Sequence, residues 1–143
     1  MKNLLLMSAV FLFVAMLACL PYLQTSTDDF VYKGQSLSVW IANLEDPSAD
    51  IRCQAAQTLA ELGESAKDAV PALIASTHDE DPTVRWWSIR ALSIIDPKNK
   101  DVIPAISNGI VDKEPMVARE AIRATMHSVR PEGAPPVGTF VSN

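Results

Sequence analysis

Few side chains in this sequence can do chemistry, and their spacing does not assemble a reaction. The densest cluster is His78-Asp79-Glu80-Asp81. Four neighbours in one loop rarely converge on an ion, and no second histidine cluster accompanies them, so the run reads as a solvated loop. The other histidine, His127, has no cysteine or histidine at ligand spacing and reads as a surface residue. Cys19 and Cys53 are the two cysteines. One lies in an apolar leader and the other in an expected helix, so no intrachain disulfide is supported, and Cys53 reads as a packed thiol. Catalysis needs a nucleophile with its base, or paired carboxylates in a cleft. No Gly-x-Ser-x-Gly, phosphate loop, dinucleotide fingerprint or His-Glu-x-x-His occurs. The sequence therefore predicts no catalytic residue, no metal and no cofactor.

The chemistry that remains is recognition, and placing it requires the elements that carry it. The chain repeats every 33 residues. Ile51, Val84 and Val117 align, each followed within two residues by an arginine: Arg52, Arg85 and Arg119. Ala55, Ser88 and Ala121 align, as do Ala56, Ile89 and Ile122. Earlier in each unit come Leu37, Val70 and Ile103, then Trp40, Leu73 and Ile106. Acidic-Pro pairs (Asp46-Pro47, Asp81-Pro82, Glu114-Pro115) precede the second half of each unit. Proline there suits the first turn of a helix, where no backbone N–H is required. The apolar residues of each half-unit recur with helical spacing, as in Ile51, Ala55, Leu59 and Leu62. A fixed period of this length is the signature of a solenoid. The reading is an all-α fold of three stacked helical hairpins, with Gly63 and Asp96-Pro97 ending the second helices of the first two units.

Positions turned away from the apolar stripe of each second helix form the expected partner-binding face. The first unit presents Gln54, Gln57 and Glu61, the second Trp87, Arg90 and Ile94, and the third Glu120, Arg123 and His127. Trp87 stands out, because its equivalents Gln54 and Glu120 are polar. Trp and Arg are the types enriched in interface hot spots. The competing reading has Trp87 folded over a small neighbour to complete the core. Trp86 reads as half-buried packing, and the three arginines as a ladder bonding carbonyls or carboxylates between hairpins.

Val70-Pro71-Ala72-Leu73-Ile74, Asp81-Pro82-Thr83-Val84-Arg85 and Ala60-Glu61-Leu62-Gly63 resemble the short bacterial HEAT-like repeats also found in phycobilin lyases. The resemblance covers about Gly34 to Arg130. It implies a right-handed α-α superhelix whose second helices line one face, and a protein or peptide partner. The third unit departs most, with Met126-His127-Ser128 in place of the Leu and Gly ending, as in a capping repeat. Metal-dependent hydroxylases of this repeat class carry His-Glu pairs on helices, and neither His78 nor His127 is followed by glutamate. A lyase-like or cofactor-binding activity related to the phycobilin lyases is the alternative reading.

The ends of the chain have a different character. Leu4 to Leu20 is apolar apart from Ser8, and Lys2 is the only charge before Asp28. A positive end followed by an apolar run is the export pattern, with the remainder expected on the outer side of the membrane. Met16-Leu17-Ala18-Cys19 is similar to a bacterial lipobox, which would make Cys19 a lipidated N-terminus. Lipidation, a retained anchor and simple cleavage all remain open. The expected divisions are a signal or anchor over 1–23, a tether over 24–33, the repeats over 34–130 and a disordered tail over 131–143. Without Lys2, 11 of the 12 basic residues remain against 17 acidic ones, which disfavours nucleic acid as a partner. Three repeats are near the minimum for such a stack, so modest stability, raised by a partner or by self-association, is expected.

Overall fold

The computed structural model describes residues 31–129. The leader, its Cys19, most of the tether and the tail lie outside the described residues. The elements run β1 (Val31–Tyr32), β2 (Gln35–Ser36), α1 (Leu37–Ala42), α2 (Ala49–Leu62), α3 (Val70–Ser76), α4 (Pro82–Ile95), α5 (Val102–Asn108) and α6 (Pro115–Ser128). Short 3₁₀ segments follow α1, α2 and α5. Three hairpins result, α1 with α2, α3 with α4 and α5 with α6, layered in chain order. The second helices, each 14 residues long, make the most extensive contacts, α4 lying between α2 and α6. Among the described residues no helix is long and apolar enough to cross a membrane.

The helical periodicity translates directly into the core. Ala55, Ala56 and Leu59 of α2, Val84, Ile89 and Leu92 of α4, and Val117, Ala121 and Ala124 of α6 are fully buried. Trp40, Leu73 and Ile106 are buried at the shared slot of the first helices. In α5 the preceding slot is filled by buried Val102, and Ile103 is only half-buried. Gly63 ends α2 at φ 56°, a conformation that favours glycine. Pro82 and Pro115 open α4 and α6 as expected. Pro47 does not, because the register places it two residues early: it precedes the N-cap Ser48, and α2 opens at Ala49.

The structure also corrects the sequence at the two ends of the stack. Val31 and Tyr32, assigned to the tether, pair antiparallel with Ser36 and Gln35 around Lys33 (φ 50°) and Gly34 (φ 79°). Two consecutive positive φ angles make the tight turn whose twist suits a hairpin. This ribbon is held by Trp40 Nε1, which donates to the Tyr32 carbonyl at 3.0 Å, and by Lys33 Nζ, 2.5 Å from Glu61 Oε2. Ile51 and Ile122, aligned with core residues, are 38% and 45% exposed. Each sits on the outer side of the first or last described hairpin, where no neighbouring hairpin covers it among the described residues.

Polar rungs cross between hairpins where the apolar stripe ends. Arg52 of α2 donates through Nε and Nη2 to the two carboxylate oxygens of Asp79, both at 2.8 Å. Arg85 of α4 grips Asp112 in the same bidentate way at 2.7 and 2.9 Å. The third donor of each guanidinium ties down its own unit's loop: Arg52 Nη1 to the carbonyls of Asp46 and Pro47, Arg85 Nη1 to those of Asp79 and Glu80. Each receiving aspartate also accepts the backbone N–H two residues on, from Asp81 and Glu114. The backbone N–H thus helps to orient the carboxylate for a planar bidentate pair. Asp79 therefore belongs to the framework and is not part of a solvated loop. Arg119 makes no third rung: it lies one residue past the register slot, which Ala118 occupies, is exposed, and donates to the Pro115 carbonyl of its own helix at 3.3 Å.

Both aspartates titrate below the ordinary range. For Asp112 the Arg85 hydrogen bonds dominate, over an opposing effect of burial. For Asp79 burial is the largest single influence and pushes upward, but bonds from Arg52 and the Asp81 N–H together with the Arg52 and Arg85 charges outweigh it. A depressed folded-state pKa contributes stability at neutral pH that is lost as pH falls through the depressed value. Urea midpoints should therefore drop on acidification below the usual carboxylate range. Asp112→Asn should start lower at neutral pH and lose less on acidification; equal acid losses in the two proteins would contradict the rung.

The second and third hairpins come close together at Gly109, where an added Cβ would lie 2.6 Å from Ile89 Cδ1 and 3.0 Å from Ala121 Cβ. Gly109→Ala should cost about 1–3 kcal/mol by overpacking, in spite of the better helix propensity of alanine. Ile89→Val in the same chain, which removes Cδ1, should recover part of that loss in thermal denaturation. A stabilised Gly109→Ala protein would contradict the packing.

Candidate interaction surface

The outward positions of the three second helices do not form one uniform face. In the first unit Gln54 is exposed, but Gln57 and Glu61 are already engaged. Gln57 donates to Glu61 Oε1 at 3.3 Å, and Glu61 Oε2 takes Lys33 and, at 3.4 Å, the Tyr32 hydroxyl. The Lys33 bond is the main reason the Glu61 carboxyl titrates below its usual value. The terminal ribbon thus occupies one end of the expected face.

In the second and third units the residues converge. Trp86 and Trp87 meet edge to face, with ring centroids 4.7 Å apart and planes at 88°. Both are half-buried and pack against the core. Trp87 therefore combines the two readings of the sequence, one part anchoring to the core and the other reaching solvent. The Arg90 guanidinium lies 5.5 Å from the centre of the Trp86 ring, within cation–π range. It also approaches across the gap between α4 and α6 to within 3.6 Å of Glu120 Oε1. Ile94, one turn on, is 43% exposed, and Arg123 and His127 of α6 are exposed.

Glu120 corrects the sequence reading. It is only 6% exposed and faces Arg90 and Arg123 rather than a partner. Arg123 Nε donates to Glu120 Oε2 at 2.9 Å, Nη2 reaches the other oxygen, and these bonds hold the Arg123 pKa above its ordinary value. A buried carboxylate is retained because two guanidinium groups surround it. It sets both arginines in place, and the pair carries one more positive charge than Glu120 neutralises. The result is an aromatic and cationic patch, Trp86, Trp87, Arg90 and Arg123, fringed by Ile94.

Little among the described residues suits chemistry of another kind. Among the described residues no group of three His, Cys, Asp or Glu side chains converges as a metal site. Cys53 is a free, half-buried thiol whose pKa is raised, by burial first and then by the charges of Asp81 and Asp50, so it is held as the unreactive thiol. An open groove of about 370 Å³ runs between the second and third units beside Asp79, Arg85 and Asp112. Asp79, Arg85 and Asp112 are already bound in the rungs, and Lys113 and His78 also line it.

A model of the HEAT-repeat family matches residues 37–126, the same span as the three stacked hairpins. The chain belongs to the HEAT-repeat family. A search among curated proteins finds no match. HEAT repeats generally mediate protein–protein interaction, and the family is typically non-catalytic.

Two framework residues of this HEAT stack were missed from the sequence. Asp79 and Asp112 share the 33-residue register with Asp46, a signal visible in the sequence. The acidic-Pro pairs mask it, because Asp46-Pro47 stands two residues out of the register that Asp81-Pro82 and Glu114-Pro115 share. Glu120→Gln tests the patch, because Gln54 already fills that slot in the first unit. The exchange should lower stability by about 1 kcal/mol in urea denaturation, since both arginines are partly exposed. An unchanged midpoint would show that Glu120 does not organise them.

Proposed function

We propose that this HEAT-repeat protein is a non-catalytic interaction module, held at the outer side of the cytoplasmic membrane, that docks a protein or peptide through the Trp86–Trp87–Arg90–Arg123 patch. The observation that carries this reading is the Trp86–Trp87 pair, which keeps part of its aromatic surface in solvent although polar residues fill the Trp87 slot elsewhere. Trp and Arg are the residues on which binding energy concentrates. Here core contacts and the buried Glu120 fix their positions beforehand, which reduces the entropy lost on docking. The excess positive charge of the patch favours a partner segment bearing carboxylates beside an apolar or aromatic side chain. The tethering part of the proposal rests on the sequence of the leader, with Lys2 at its inner end and Cys19 as its lipidation or anchor residue.

The test is affinity purification of the full chain from its native membranes, followed by mass spectrometry. It should be run beside Trp87→Gln with Arg90→Gln, which imports the first unit's own residues at those slots. The expected result is a specific protein recovered with the native chain and lost with the variant, whose circular dichroism is unchanged. Equal recovery by both would place the binding surface elsewhere. Recovery of the chain in a soluble fraction with no retained or lipidated leader would remove the membrane part of the proposal.

A further inference from the structure

Ile110, Ile122 and Met126 are 39%, 45% and 62% exposed. At the same register slots the earlier units carry Leu44 and Thr77, Ala56 and Ile89, Ala60 and Ser93, and all six are buried. The following hairpin is what covers them. Helix α3 lies against the 3₁₀ turn that holds Leu44, and Ile89 reaches Gly109 and Ala121 of the third unit. A closing repeat would carry polar residues at these slots, because nothing follows to shield them. The third unit instead carries apolar side chains at all three slots, where the second has Thr77 and Ser93 at two of them, and leaves them uncovered among the described residues.

We propose that this C-terminal end is a second docking surface, which takes a helical hairpin of another protein bearing a glycine opposite Ile122 and a carboxylate beside Arg119. The surface is continuous with the hairpin-to-hairpin interface already present twice in the chain, so the filled seats state what fits. Opposite Ile89 the next unit carries Gly109, which has no room for a Cβ, and the 33-residue register puts Ser76 in the corresponding place against the smaller Ala56. Ile122 is again the larger residue, so its occupant needs glycine there. The N-terminal hairpin of this chain has Asn43 in that slot, so a second copy stacked head to tail collides with Ile122. Charge defines the flank. Each filled seat is closed by an arginine gripping an aspartate of the next unit. In the last unit Arg119 stands beside that slot, exposed and bonded among the described residues only to a carbonyl of its own helix. The residues of this surface are separate from Trp87 and Arg90, so the variants that test one surface leave the other's residues unchanged.

A peptide of residues 101–129 carries Gly109, Asp112 and Ala121 and already occupies the equivalent seat within the chain. Fluorescently labelled, it is titrated into the full-length protein and followed by anisotropy. The expected result is saturable binding that weakens at least tenfold when the protein carries Ile122→Asp with Met126→Asp, or when the peptide carries Gly109→Asn. Because an isolated hairpin can fail to fold, residues 97–129 are also appended after Val129 as a fourth unit. The added unit should raise the thermal midpoint, and the same two aspartates should abolish the gain. No binding together with no stabilisation overturns the proposal. So does binding indifferent to Ile122→Asp with Met126→Asp. A dimer of the protein alone that this double variant disrupts assigns the seat to a second copy. At least tenfold tighter peptide binding after removal of residues 130–143 assigns it to the chain's own C-terminal segment. Either of those two results also overturns the proposal.

Discussion

A helical hairpin of about 30 residues cannot cover the apolar stripe of its second helix with its short first helix alone. In this protein the next hairpin supplies the cover, so α2, α4 and α6 must lie side by side in chain order. Burial along that row is non-directional and would tolerate sliding of one helix on the next. Direction comes from two devices: the close approach at Gly109, which fits Ile89 in one place, and the arginine rungs. Asp79 shows how tightly the second device links the units. Its side chain accepts from Arg52 of the unit before, and its carbonyl accepts from Arg85 of its own unit, which reaches forward to Asp112.

The same constraint explains where the molecule can bind. Side chains that meet the neighbouring hairpin are committed to the stack, so recognition falls to those turned outward and to the ends. On the outward side, Trp87 and Arg90 are fixed by the framework while keeping part of their surface free. Glu120, aligned with Trp87 but buried, acts beneath the patch and not in it. At the ends the two halves of the repeating interface are treated differently. A β-ribbon packs on Trp40 and reaches Glu61 at the first hairpin, whereas Ile122 and Met126 are left exposed at the last among the described residues.

Much of this was legible in the sequence because the physics is periodic. The 33-residue repeat and the helical spacing of apolar residues gave the elements, the core of the central hairpin and the expectation of an arginine ladder. What escaped depended on single positions or on chain ends. Ile51 and Ile122 look like core residues in any alignment of units, and they are exposed because no further hairpin covers them among the described residues. Asp79 was hidden in a run of polar loop residues whose burial cannot be judged from composition. Lys33-Gly34 closes a ribbon of two paired residues a side, too short for any alternating pattern to reveal. Glu120 faced the right direction, but its neighbours Arg90 and Arg123 cover it, and side-chain reach across helices is not written in periodicity.

Sequential stacking of the hairpins is most directly tested by nuclear Overhauser contacts across the α4–α6 boundary in the full chain. Ile89 δ1-methyl protons should show strong contacts to Gly109 Hα and to the Ala121 methyl group, since both residues crowd the same point. Absence of those contacts, with Ile89 instead in contact only with its own hairpin, would show that the units do not layer in chain order and would remove the basis for both proposed surfaces.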